Sequence, residues 1–180
     1  LGTCWLGGSF SRSRFERKLG RQDGEMMPAV VSVGYSAAEP GRRDRLIRQQ
    51  ARSARRLPWE RLFFNGKFYA PLAQDEAGDY ATPLEMVRLG PSASNQQPWR
   101  IVREGSAWHF YLHRTAGYPP SGFAHLLKIA DIQRLDMGIA MCHFELTARE
   151  LNLPGRWELR EPTIAKPDDR TEYTATWMAG

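Results

Sequence analysis

Cysteine is scarce in this chain: Cys4 and Cys142 are the only two among 180 residues. Two thiols cannot build a disulfide framework, and a reducing, cytoplasmic compartment is the default expectation. No run approaches the ~18 consecutive apolar residues of a membrane span. The start has neither a basic n-region nor a continuous apolar h-region, so no signal peptide is read there. The sequence also lacks a Walker phosphate loop and a dinucleotide fingerprint, which excludes the best-known nucleotide cradles. Histidine is limited to four residues, and His109, His113 and His125 show no ligand spacing.

Aromatic residues, by contrast, are plentiful. Eight Phe, six Trp and six Tyr exclude a disordered polymer, and a chain of this length buries roughly 70% of its unfolded surface. Twenty-five Lys and Arg against 20 Asp and Glu leave +5. The excess is concentrated between Arg42 and Arg61, where eight arginines face only Asp44 and Glu60. Such a run is either a solvated helix face or a surface for phosphate, nucleic acid or an acidic partner. Nucleic-acid binding is the weaker reading, because no aromatic residues are interleaved with the arginines between Arg42 and Arg56.

The chain opens Leu1-Gly2-Thr3-Cys4-Trp5-Leu6-Gly7-Gly8, which reads as an interior piece of a folded domain, so an amino-terminal truncation is expected. Arg14–Gly20 suits a short helix stopped by glycine. Met27–Tyr35 is β-branched and bounded by Pro28 and Gly34, as in a buried strand. Asp44 to about Arg56 reads as a polar helix, and Pro58–Phe64 as a second short one, proline suiting the first turn. Tyr80–Leu89 predicts a helix ended by Gly90-Pro91. Trp99–Arg103 and Trp108–His113 predict a hairpin around Glu104-Gly105. Asp131–Leu151 carries the clearest helical period, with Ile132, Leu135, Ile139, Cys142 and Leu146 as its stripe and Ala140, Phe144 and Ala148 widening it. Gly138, unfavourable within a helix, implies close approach of a backbone or a ligand. Arg156–Arg160 and Glu172–Met178 are weaker strand candidates. Leu1…Trp5 and Leu153…Trp157 share Leu and Trp at equal spacing, a faint internal echo.

The densest polar segment is Pro91-Ser92-Ala93-Ser94-Asn95-Gln96-Gln97-Pro98-Trp99-Arg100. Prolines stiffen both ends, and uncharged donors and acceptors fill the middle. The segment suits a ligand rich in hydroxyl, carbonyl and imide groups, or else a loop of structural caps and turns.

This segment resembles the Pro-Ser-x-x-Asn-x-Gln-Pro-Trp-Arg signature of the FMN-dependent nitroreductase family, and Gly2–Gly8 looks like that family's glycine-rich signature. The glycine loop comes first here, an order that resembles the internally duplicated putative TM nitroreductases. Leu84–Leu89 and Asp136–Leu146 resemble that group too. The resemblance implies an α+β nitroreductase-like sandwich, helices against an antiparallel-rich sheet. It also implies a monomeric pseudo-dimer of two repeats, the first incomplete: residues 1–75 for the end of the first repeat plus a linker, and 76–180 for the second.

It further implies an FMN oxidoreductase that takes hydride from NAD(P)H, a transient substrate, and passes it to a nitroaromatic, quinone or similar acceptor, with neither nucleic acid nor membrane as partner. Pro91, Ser92, Ala93 and Asn95 would reach the flavin from one repeat. The backbone at Trp5, Leu6, Gly7 and Gly8 would lie beside it from the other, glycine admitting the ring, with an N–H available to flavin N5. Arg56 matches the phosphate-binding basic position, with Arg55 its neighbour. No side chain is named as a catalytic acid or base.

The family's amino-terminal phosphate motif is missing, since Ser11-Arg12-Ser13-Arg14 falls after the glycine loop. The second repeat has Leu153-Pro154-Gly155-Arg156-Trp157 where a glycine loop belongs, so one flavin per parent chain is expected. The alternative is a degenerate flavin-binding module without turnover. Cys4 lacks a supporting His or Asp for a nucleophile's role. Cys142, His143 and Glu145 have metal-ligand chemistry but diverge around a helix, and Ser92 or Ser94 has no hydrolase elbow.

Overall fold

The computed structural model describes residues 1–6, 12–20, 29–35, 54–117 and 131–180, together with positions 22, 25, 27, 41 and 49. The chain divides into two compact units, Leu1–Ala51 with Pro119–Ile132, and Arg52–Tyr118 with Gln133–Gly180.

In the first unit, β1 (Gly2–Leu6) pairs antiparallel with β2 (Val30–Gly34), Gly2 opposite Gly34 and Leu6 opposite Val30. Helix α1 (Arg12–Leu19) ends at Gly20, whose φ of 65° is the left-handed stop that glycine adopts without strain. The strand expected over Met27–Tyr35 is present only from Val30, and it is not buried: Val33 is 65% and Tyr35 94% exposed. β-Branched composition favours an extended backbone without deciding what covers it.

The second unit is built on a five-stranded sheet in the order β3 (Phe63–Asn65), β4 (Trp99–Glu104), β5 (Ala107–His113), β7 (Thr171–Ala179), β6 (Gly155–Glu158). β3 runs parallel to β4, and every other pair is antiparallel. The hairpin β4–β5 turns at Gly105, φ 58°. The expected helix over Pro58–Phe64 is reduced to a single 3₁₀ turn, Trp59–Arg61, followed by β3. Phe63 and Phe64 explain the change, since alternation sends one ring to each sheet face and buries both. The polar helix expected to reach Arg56 does not do so, because residues 55–58 are irregular; most of that segment lies outside the described residues.

Helices α2 (Ala81–Leu89) and α3 (Ile132–Glu150) contribute to the core on one sheet face. Leu84 and Val87 from α2 and Met137, Ala140, Phe144 and Ala148 from α3 join Phe63, Trp99, Ile101, Trp108, Phe110, Leu112 and Trp177. Phe144 is the hub, its ring lying 5.2–6.3 Å from those of Phe110, Tyr80, Trp177, Trp108 and Trp157. The buried stripe of α3 therefore follows the residues expected only to widen it, while Cys142 is exposed and Leu146 is 60% exposed. The other sheet face carries a smaller cluster of Phe64, Phe68, Val102, Tyr111 and Ile164.

Two glycines separate packing from conformation. A Cβ on Gly155 would lie 2.4 Å from the Trp177 indole, so that glycine admits a ring of the core. A Cβ on Gly138 would meet nothing within 4 Å, which removes close backbone approach within the described residues as its reason.

Candidate functional site

The polar segment leaves α2 at Gly90 and enters β4 at Trp99, with a 3₁₀ turn at Ala93–Asn95. Ser94, Asn95 and Gln97 have φ values of 49°, 54° and 49°. Left-handed backbone costs an L-residue roughly 1–2 kcal/mol, and three such residues within four positions persist only because the surroundings fix them. Strain of this kind clusters at ligand clamps and active sites.

The fixing contacts come from several elements. The Asp136 carboxylate on α3, 2% exposed, accepts the Ala93 N–H at 3.0 Å. Ser92 Oγ accepts the Gln97 N–H at 2.8 Å. Buried Gln97 accepts the Leu57 N–H on Oε1 at 2.7 Å and donates from Nε2 to the Asn95 carbonyl at 3.1 Å and Oδ1 at 3.3 Å. Asn95 Nδ2 donates to the Arg55 carbonyl at 2.9 Å. Arg56 donates from Nε and Nη2 to the Leu89 carbonyl at 3.2 and 3.0 Å, and from Nη1 to Arg55 O and Asn95 Oδ1 at 3.1 and 3.2 Å. A cation on the last carbonyl of α2 is favoured by the helix dipole.

The structure thus brings Arg56, Ser92, Ala93 and Asn95 into one network, with Pro91 at its entrance. The Asn95 amide and the Arg56 guanidinium are turned onto the protein's own backbone. The hydroxyl protons of Ser92 and Ser94 have no acceptor among the described residues, and both side chains retain access to solvent. Trp5 and Leu6 lie in β1, paired with Val31 and Val30; Gly7 and Gly8 fall outside the described residues.

Residue types alone had not distinguished Gln97 and Asp136 as the residues that fix the loop. The only signal was a carboxylate at a helix position that proves to lie in the buried stripe. At the end of the segment, Arg100 donates from Nη1 to the carbonyls of Gln97 and Trp99 at 3.1 and 2.6 Å, and burial together with the Arg61 charge lowers its pKa to about 10.

The model of the family described as Putative TM nitroreductase matches residues 1–148. The chain belongs to that family. A solved structure of a putative nitroreductase from Thermotoga maritima MSB8 has the same fold, with a TM-score of 0.55 and 20% sequence identity. That alignment covers 98% of this chain and 55% of the other, so this nitroreductase-family chain spans about half the length of its structural relative. No curated protein matches. Among the described residues there is no group of His, Cys, Asp and Glu able to hold a metal, and no helix long and apolar enough to cross a membrane. Glu145 instead accepts the Trp157 indole N–H at 2.9 Å, and His109 and His113 bond to Thr176 and Thr171. His125 lies outside the described residues.

Proposed function

We propose that this chain forms part of an FMN-dependent oxidoreductase that passes hydride from NAD(P)H to a nitroaromatic, quinone or similar acceptor. The observation that carries the reading is the braced left-handed loop at Ser94, Asn95 and Gln97, in a chain that matches the nitroreductase family over most of its length. The loop's donor set suits the group: the Ser92 and Ser94 hydroxyls can donate to carbonyl and ribityl oxygens, and Asp136 and Gln97 hold the backbone in place. FMN, when bound, supplies a ring position that accepts and releases hydride. The protein's part is to orient that ring and exclude water, without a side-chain acid or base.

On this reading Pro91, Ser92, Ala93 and Asn95 contact the flavin, and Trp5, Leu6, Gly7 and Gly8 keep the backbone role that the family resemblance implies. Arg56 clamps the loop and lies beside Asn95; gripping phosphate with two of its N–H groups would draw it off the Leu89 or Arg55 carbonyl. We read residues 1–75 as closing one repeat and 76–180 as a second. The parallel edge strand β3 then resembles a strand lent by the first repeat to the sheet of the second. Gly155, taken up by Trp177, gives the second repeat no flat floor for a ring, which favours one flavin per parent chain.

Reconstitution of the full-length protein with FMN, followed by anaerobic addition of NAD(P)H, tests the reading. Bleaching of the flavin band and its return with a quinone are expected. Failure to bind flavin overturns the assignment. Yellow protein that NAD(P)H cannot bleach favours a degenerate module, a reading to which the self-directed contacts of Arg56 also lend weight. Two flavins per chain would overturn the single-site reading.

A further inference from the structure

Beside the start of β4 and the end of β5, residues of the second unit line a cavity of about 450 Å³, within the roughly 300–1,000 Å³ usual for small-molecule sites. Its apolar lining includes Phe64 and Phe68, both almost fully buried. Tyr69 also lines it, 79% exposed and held at φ 68°, a backbone conformation that bulky residues rarely adopt. A large ring kept in water on a strained backbone has no folding rationale in the contacts it makes.

The polar lining is unbalanced. Arg170 is neutralised by Asp168, its Nε and Nη2 lying 3.0 and 2.7 Å from Oδ2. Arg61 and Arg100 have no carboxylate partner among the described residues, although exposed Glu60 also lines the cavity. Among the described residues Arg100 has only the two carbonyls on Nη1, which leaves Nε and Nη2 without an acceptor there. Two like charges close together, one of them largely withdrawn from water, repel each other until an anion joins them. His113 adds no charge of its own near neutrality, because burial and Arg100 hold its pKa down.

We propose that this cavity is a binding site for a small planar organic carboxylate, its anionic end between Arg61 and Arg100 and its flat body against Phe64 and Phe68 beside Tyr69. Guanidinium groups match carboxylate geometry, and an apolar wall selects for the ring behind it. The proposal does not depend on the flavin reading.

Isothermal titration calorimetry of the chain with benzoate, and with benzamide as its neutral counterpart, tests this. Saturable benzoate binding that weakens with added salt is expected, with benzamide at least about tenfold weaker, the scale of one charge-assisted bond. Arg61 is exposed and outside the core, so Arg61→Gln should fold normally and raise the benzoate Kd by about tenfold. Tyr69→Gly should fold at least as well, since it relieves the positive φ, and should also weaken binding. No benzoate binding, equal affinity for benzamide, or an unchanged Kd in Arg61→Gln would each overturn the proposal.

Discussion

Gln97 offers the sharpest test of how the polar loop is held. Replacement by alanine removes the acceptor of the Leu57 N–H at 2.7 Å and the Nε2 contacts to Asn95 at 3.1 and 3.3 Å. At about 1 kcal/mol per neutral bond, with an additional cost for the orphaned Leu57 N–H, Gln97→Ala should lose about 2–3 kcal/mol. The alanine still has to adopt a φ near 49°. Gln97→Gly loses the same side chain but relieves roughly 1–2 kcal/mol of left-handed strain, offset by about 0.5–1 kcal/mol of extra freedom in the unfolded chain. Glycine should therefore be less damaging than alanine, by up to about 1.5 kcal/mol. Urea unfolding followed by tryptophan fluorescence measures both. An alanine variant within about 0.5 kcal/mol of the parent, or a glycine variant less stable than the alanine one, would refute the account of this loop.

Other predictions follow from the same contacts. Asp136→Ala deprives the Ala93 N–H of its acceptor and should cost about 1–3 kcal/mol; under the proposed flavin function it should also weaken FMN binding, with helix content unchanged by circular dichroism, whereas Asp136→Asn, which keeps an acceptor oxygen, should restore much of both. Tyr111 is fully buried with a hydroxyl that lacks a partner among the described residues, so Tyr111→Phe should raise the thermal midpoint, and a fall would contradict the buried-orphan argument. Burial lowers the pKa of His109 below its ordinary 6.5. The unfolded chain then takes up a proton before the folded one does, so this group's contribution is intact above about pH 6.5 and is lost as pH falls below it. Urea midpoints compared at neutral and mildly acid pH should converge in His109→Gln relative to the parent. At lower pH, Glu172, held below the usual carboxylate range by hydrogen bonding to Arg114, protonates and gives up its stabilisation in turn.

Much of the second unit was legible in the sequence. The strand-like runs Trp99–Arg103 and Trp108–His113, with Glu104-Gly105 between them, sufficed for the hairpin, and the helical period for α3. The buried face of α3 was harder to read, because Ala140 and Ala148 offer less apolar surface than Leu146 yet are the residues fully buried, while Leu146 is 60% exposed. The three-residue β3 is too short to produce a periodic signal, and its parallel partner lies far along the chain. At the candidate site, the concentration of Ser, Asn and Gln marked a loop that the structure holds in left-handed backbone at Ser94, Asn95 and Gln97. Composition does not say which way an amide points, however, and Asn95 proves to brace the loop through Arg55 and Arg56. The buried carboxylate of Asp136 was hidden for a related reason: an isolated acid in a helix reads as solvent-facing until the element it caps is in view.

The outer rim of β3 is closed by the chain itself. Phe64 forms a β-bridge with Pro71, Leu72 donates its N–H to the Phe63 carbonyl at 3.0 Å, and Asn65 donates its own to Ala70 at 2.8 Å. At the opposite rim β6 is only four residues long and carries the exposed Arg156, paired with Glu158 at 2.8 Å. Proline, brevity and surface charge are how sheets are kept from adding foreign strands. A sheet this rich in tryptophan and phenylalanine would otherwise template its own aggregation, and these two guarded margins let it stay crowded with aromatic rings without recruiting its neighbours.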